Sequence, residues 1–87
     1  MTYRIEYTRS ARAYLARLDR RIQERIKAAV DAIADDPLGP ATKPLHGVGK
    51  LRSMRVGSWR IVYTIDAAGK VVMIMAIGPR GQVSRDL

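Results

Sequence analysis

The chain has 87 residues and a formal net charge of +8, from 16 Lys plus Arg against 8 Asp plus Glu. That length bounds it to one domain, residues 1–87, with a single modest core; the lack of cysteine excludes disulfide staples and thiolate metal sites. No apolar signal core opens the chain and no apolar run could span a bilayer, so the reading is a cytoplasmic protein with no membrane partner, whose charge suits a polyanion.

Residues 3–7 alternate, with Tyr3, Ile5 and Tyr7 against Arg4 and Glu6, which predicts a strand. Thr8 can cap a helix that carries Ala11, Tyr14, Leu15 and Leu18 on one face. Asp19 can cap a second helix, with Ile22, Ile26, Ala29, Val30 and Ile33 on its apolar face. The short break between them predicts an antiparallel helical hairpin, ended at Asp36 because Pro37 disfavours helix at the residue before it. Residues 38–49, with Pro40, Pro44 and three glycines, read as an ordered loop that Leu45 and Val48 could tie down. Strands are predicted at about residues 50–56, 59–66 and 70–77; the last is apolar on both faces, as a central strand would be, and Gly78-Pro79 should break it. The predicted fold is α+β: an N-terminal strand, two helices, then a three-stranded antiparallel meander, with the helices on one sheet face.

Gly57-Ser58 lies between two apolar runs and predicts a two-residue hairpin turn. Val56 should then pair with Trp59, and Arg55 with Arg60. Like charges directly across a ladder destabilise it, so a sheet that keeps them suggests an anion between them; two side chains splayed into water is the alternative. Alternation puts Met54, Val56, Trp59 and Ile61 on the core face, and Ser53, Arg55, Arg60 and Val62 on an open face. Arg52 falls on the core parity, where it must snorkel out or sit on a bulge. Trp59 and Tyr63 could stack on bases, but their parity favours the core, and Met54, Met73 and Met75 read as core fillers.

Acidic residues are absent between Asp36 and Asp66, a window that holds Lys43, His46, Lys50, Arg52, Arg55 and Arg60. A one-sign segment builds a field, so this half is the candidate active surface, with Lys43, His46, Lys50 and Arg52, and Arg85 of the tail, as the candidate RNA contacts. The helix arginines are offset by acids and read mainly as a solvated face. His46 has no second histidine or cysteine for a metal site, the serines lie in no nucleophile motif, and Gly47-Val48-Gly49-Lys50 lacks P-loop spacing. No cofactor is expected. What remains is cationic chemistry. It suits cleavage of an RNA phosphodiester by its own 2′-hydroxyl, where the substrate brings the nucleophile and the protein stabilises charge at phosphorus.

These residues, in this order, resemble the RelE-type toxins of the RelE/ParE toxin–antitoxin superfamily. The resemblance covers the whole chain: Tyr3-Arg4-Ile5-Glu6-Tyr7 with Ser10-Ala11, then Leu45-His46-Gly47, then Arg55-Val56-Gly57-Ser58-Trp59-Arg60-Ile61-Val62-Tyr63, and finally Gly78-Pro79-Arg80-Gly81-Gln82-Val83. It implies ribosome-dependent cleavage of mRNA in the A site and inhibition by an acidic, RelB-like antitoxin. It also implies that Arg60 and Arg80 stabilise the phosphate and that a tail tyrosine assists the 2′-hydroxyl; Arg55, which the turn pairs with Arg60, completes the candidate catalytic set. Here Ser84 stands at the tyrosine's place; its hydroxyl is a far weaker acid than a phenol and cannot stack. Ser84 marks either a naturally attenuated enzyme or a tyrosine replaced to permit expression. The strand positions where family lysines stand are Leu51 and Ser53. These two departures keep open a ParE-like reading, a non-catalytic toxin that inhibits DNA gyrase by binding it, and that of a module which binds RNA without cutting it.

Overall fold

The computed structural model describes residues 2–45 and 50–79. Seven elements follow in order: β1 (Arg4–Tyr7), α1 (Arg9–Ala16), α2 (Arg20–Asp35), β2 (Thr42–Pro44), β3 (Arg52–Val56), β4 (Trp59–Asp66) and β5 (Val71–Pro79). Both expected caps form. The Thr8 hydroxyl accepts from the Ala11 amide at 3.2 Å, and the Asp19 carboxylate accepts from the Arg21 amide at 3.0 Å. Each satisfies an amide that the first helical turn would leave bare. Helix α2 ends with Asp36 as its C-terminal cap, one residue before Pro37.

The strands form one sheet in the order β1-β5-β4-β3-β2, with β1 parallel to β5 and every other pair antiparallel. Ala11 and Leu15 of α1 and Ile26, Val30 and Ile33 of α2 pack against Ile61, Tyr63, Val72, Ile74 and Ile77 of the sheet. Every residue expected on the two helix faces is in this core or against it.

Three expectations need correction. The segment read as a loop contains β2, which pairs with β3 through Thr42↔Met54, Lys43↔Ser53 and Pro44↔Arg52, so the meander has four strands rather than three. A three-residue strand ending in proline is too short to show alternation. Strand β5 runs through Gly78 to Pro79 instead of breaking there, with Gly78 opposite Arg60 and Pro79 opposite Trp59. Met73 and Met75 lie outside the helix-side core cluster. Tyr63 pairs with Ile74 and Val62 with Ala76, which leaves Met75 as an extra residue opposite no partner on β4. The bulge lets Ile74 and Ile77, three positions apart, both face the helices. The Thr8 hydroxyl donates to the Met75 carbonyl at 3.2 Å and the Thr8 amide to the Ile74 carbonyl at 3.0 Å, so the same residue caps α1 and fastens the bulge.

The hairpin turn forms as read. Gly57 has φ +60 and Ser58 does not share the left-handed region, which is the pattern of a type II′ turn. A Cβ at Gly57 would also lie 2.7 Å from the Arg25 guanidinium, a flexible group that can move aside. Backbone strain therefore decides the outcome: Gly57→Ala is expected to destabilise the fold by about 1–2 kcal/mol. Thermal denaturation should show this as a fall of roughly 4–16 °C.

At the β1 edge the Arg12 guanidinium lies 5.6 Å from the centroid of the Tyr7 ring. Burial raises the Tyr7 phenol above its ordinary value of 10.0, the Asp31 carboxylate adds to the rise, and Arg12 opposes it. A phenol whose pKa is raised on folding contributes stability that is whole below pH 10 and is lost as pH rises through the folded-state pKa. Melting temperature should thus fall above pH 10 more steeply in the parent chain than in Tyr7→Phe.

Candidate functional site

Alternation in β2, β3 and β4 sends one set of side chains to the sheet face away from the helices. On this face Lys43, Ser53, Val62 and Ala76 form one row across four strands, and Arg55, Arg60 and Gly78 form the next. Lys43, Ser53, Arg55 and Arg60, with Pro40, Ala41 and Thr42, line a cleft of about 320 Å³. None of these lining residues carries a carboxylate. The expected pairing of Arg55 with Arg60 is present. It is the second pair out from a two-residue turn, a non-hydrogen-bonded position where Cα atoms approach to about 4.5 Å and side chains come closest.

The face is less open than parity alone implies. Arg55 is exposed and Arg60 half-buried, but Ser53 is only 2% exposed and Val62 is fully buried. Ser53 is a short side chain between Lys43 and Val62 in its row, so it forms the recessed floor while the cations stand around the mouth. Chemically, this is a pocket of hydrogen-bond donors and positive charge that fits an anion of phosphate size or a short stretch of polyanion.

Of the residues expected to bind RNA, Lys43 reaches the cleft. Lys50 is exposed in the turn before β3, outside the lining. Arg52 pairs with Tyr63 on the helix-side parity and donates to the Thr42 hydroxyl at 2.8 Å, so it lies behind the cleft wall and not in the cleft. His46, Arg80, Ser84 and Arg85 lie outside the described residues. Tyr63 is buried in the core, and Trp59 packs against that core with its ring edge-on to Tyr14 at 6.4 Å; neither forms a stacking platform on the cleft face. The wall residues Pro40, Ala41 and Thr42 escape a reading of the sequence, because no local pattern marks β2.

A second concavity of about 340 Å³ lies at the other end of the sheet, lined by Tyr7, Arg12, Leu15, Ala16, Gln23 and Lys27. Its walls are mixed in character, and Gln23 is engaged there with the Leu15 and Ala16 carbonyls at 2.9 and 3.2 Å.

The sequence profile of the family described as the ParE toxin of the type II toxin–antitoxin system, parDE, matches residues 5–84. No curated protein sequence matches. Among solved structures, the toxin–antitoxin complex RelBE2 of Mycobacterium tuberculosis contains a chain 29% identical, with 92% of this chain and 100% of that chain covered and a TM-score of 0.81. The archaeal RelE–RelB complex from Pyrococcus horikoshii is 27% identical over 94% and 99% of the two chains, TM-score 0.78. A mutant of the E. coli toxin RelE in the free state, with two arginines replaced by alanine, is 21% identical over 100% of both chains, TM-score 0.80, and speaks for the fold alone. With its profile match spanning nearly the whole length, this chain belongs to the ParE toxin family of type II toxin–antitoxin systems, and it is a RelE-type toxin of the RelE/ParE superfamily.

Proposed function

We propose that this toxin is a ribosome-dependent endoribonuclease that cuts mRNA in the A site. The observation that supports it is the convergence of Lys43, Arg55 and Arg60 on one carboxylate-free cleft. Two arginine forks and an ammonium can hold a phosphodiester and offset the charge that builds on its oxygens in a phosphorane-like transition state. The substrate's 2′-oxygen bonds to phosphorus, the bond from phosphorus to the 5′-oxygen breaks, and a 2′,3′-cyclic phosphate and a 5′-hydroxyl result. The proton lost by the 2′-hydroxyl must be taken up, and one must reach the departing 5′-oxygen. Lys43, which lines the cleft, is the proposed donor for the second step. The resemblance assigns Arg80 to the phosphate and Ser84 to the 2′-hydroxyl, and Ser84 is the reason to expect a slow enzyme. No cofactor enters this scheme.

The partner that restrains it is proposed to be an acidic, RelB-like antitoxin, as the relatives solved with RelB suggest. A concentrated positive cleft offers such a segment charge and a groove together. The action is proposed to be cytoplasmic, where ribosomes and mRNA are; among the described residues no helix is long and apolar enough to cross a membrane.

The ParE-like alternative draws on two observations: the matching profile is that of ParE toxins, and Ser84 replaces the phenol. Primer extension on a translated mRNA, run beside plasmid recovery from the same cells, separates the two. Codon-positioned cuts that strengthen in Ser84→Tyr support the nuclease. Intact mRNA with linear plasmid bearing gyrase on its ends supports the poison and overturns the proposal.

Engagement of ribosomes should depend on salt. Three cations on a single-stranded backbone give a slope of log affinity against log salt of about −2, hence roughly a 20-fold loss between 50 and 200 mM salt. Sedimentation with ribosomes at the two salt concentrations measures it; equal binding at both would contradict a phosphate-holding cleft.

A further inference from the structure

One wall of the cleft, residues 40–43, has little apolar anchorage: Leu38 is 68% exposed, and the Pro37 ring is the buried apolar group at the start of the segment. It is held instead by polar bonds from the opposite side of the sheet. The Tyr63 hydroxyl, fully buried, donates to the Pro37 carbonyl at 2.6 Å. Arg52 donates from Nη2 to the Thr42 hydroxyl at 2.8 Å, and that hydroxyl donates on to the Gly39 carbonyl at 2.8 Å. The Thr42 amide donates to the same carbonyl at 3.0 Å, closing the turn. Arg52 Nε is buried without a partner among the described residues. Burying a guanidinium nitrogen unpaired is costly, so the fold gives something up to keep this side chain pointed at Thr42.

Thr42 and Lys43 are consecutive residues of one strand and therefore face opposite ways. What fixes Thr42 from behind fixes Lys43 in front, against the Arg55 and Arg60 pair. We propose that Arg52, through Thr42 and with Tyr63, is a positioning residue that sets the Lys43 wall of the cleft and so governs its affinity for an RNA backbone. This rests on reading the cleft as the RNA site. It gives Arg52 a role the charge pattern alone did not suggest, since the side chain reaches RNA through the wall and not by contact.

The test uses the purified full-length chain, a short fluorescein-labelled single-stranded RNA, and temperatures well below every variant's melting point. Thr42→Val removes the hydroxyl and keeps the volume; Thr42→Ser keeps the hydroxyl. Thr42→Val should weaken binding by about 3–10-fold, Thr42→Ser should bind like the parent, and in a Lys43→Ala background Thr42→Val should cost less than about 2-fold, because groups acting through one another are not additive. Arg52→Met should copy Thr42→Val. Amide exchange gives a readout that needs no RNA: Thr42→Val and Arg52→Met should speed exchange at Thr42 and Lys43 and leave Ile61 unchanged. Parental affinity in Thr42→Val and Arg52→Met with only the melting point lowered would overturn the proposal, as would losses that add fully to that of Lys43→Ala. If the parent chain binds no RNA, the functional reading fails by itself, and unchanged exchange at Lys43 in the variants would then reject the positioning role as well.

Discussion

Arg60→Ala should lower the rate of A-site cleavage by roughly 10²–10³-fold, the loss typical when one preorganised donor to a developing oxyanion is deleted. Arg60 is the half-buried member of the cross-strand arginine pair and lines the cleft beside Ser53. In that place its fork is less screened by water than a surface charge, so its field acts more strongly on charge that builds at phosphorus. Programmed ribosomes with excess toxin variant, sampled over time by primer extension, give the rate; the Ser84→Tyr background raises the signal if the parent is slow. Circular dichroism should be unchanged, since the substitution removes nothing from the helix-side core. A drop in rate with an unfolded spectrum would not count in favour of the cleft.

One residue further along the strand the effect should reverse in kind. Ile61 faces the helices, is 0% exposed, and belongs to the core cluster with Ile26, Ile33 and Tyr63. Ile61→Ala should cost about 2–5 kcal/mol from lost transfer energy and an unfilled cavity. For a chain of this length the total stability is on the order of 4–13 kcal/mol, so a single methyl-rich side chain carries a large share of it. Melting temperature should drop by roughly 10 °C or more. The surviving folded fraction should cut mRNA at close to the parental rate when assayed in the cold. Neighbouring substitutions thus separate the two faces of β4: one disables chemistry on a sound fold, the other weakens the fold and spares the chemistry.

Those two faces were largely legible from the residues, because turn and period act locally. Gly57-Ser58 sets the register of β3 on β4, and register then places every side chain of both strands. Helical spacing likewise marked Leu15, Ile26, Val30 and Ile33, and Thr8 and Asp19 marked where each helix starts. The features that escaped are held by bonds between distant parts of the chain. Strand β2 exists because β3 is beside it, and Pro44 hides it. The bulge at Met75 is fastened by Thr8, some 67 positions away in sequence, and it brings Ile77 to the helix side while Met73 and Met75 stay outside that core. At the site, the Arg55 and Arg60 pair followed from the turn. Lys43 was singled out only by its sign of charge, and its place at the cleft required β2. Parity already put Arg52 on the core side; what it does there became visible only with Thr42 and the Pro37 carbonyl in place.

In the proposed reaction the RNA supplies its own nucleophile to a cleft made of cations. An mRNA carrying a single 2′-deoxynucleotide at the scissile position of the A-site codon, presented on ribosomes, tests this most directly. The all-ribose message should be cut at that codon to leave a cyclic phosphate, and the substituted message should stay whole while the toxin binds both ribosomes with equal affinity. Cleavage of the substituted message at an undiminished rate, or no cleavage of either with the Ser84→Tyr variant, would contradict it.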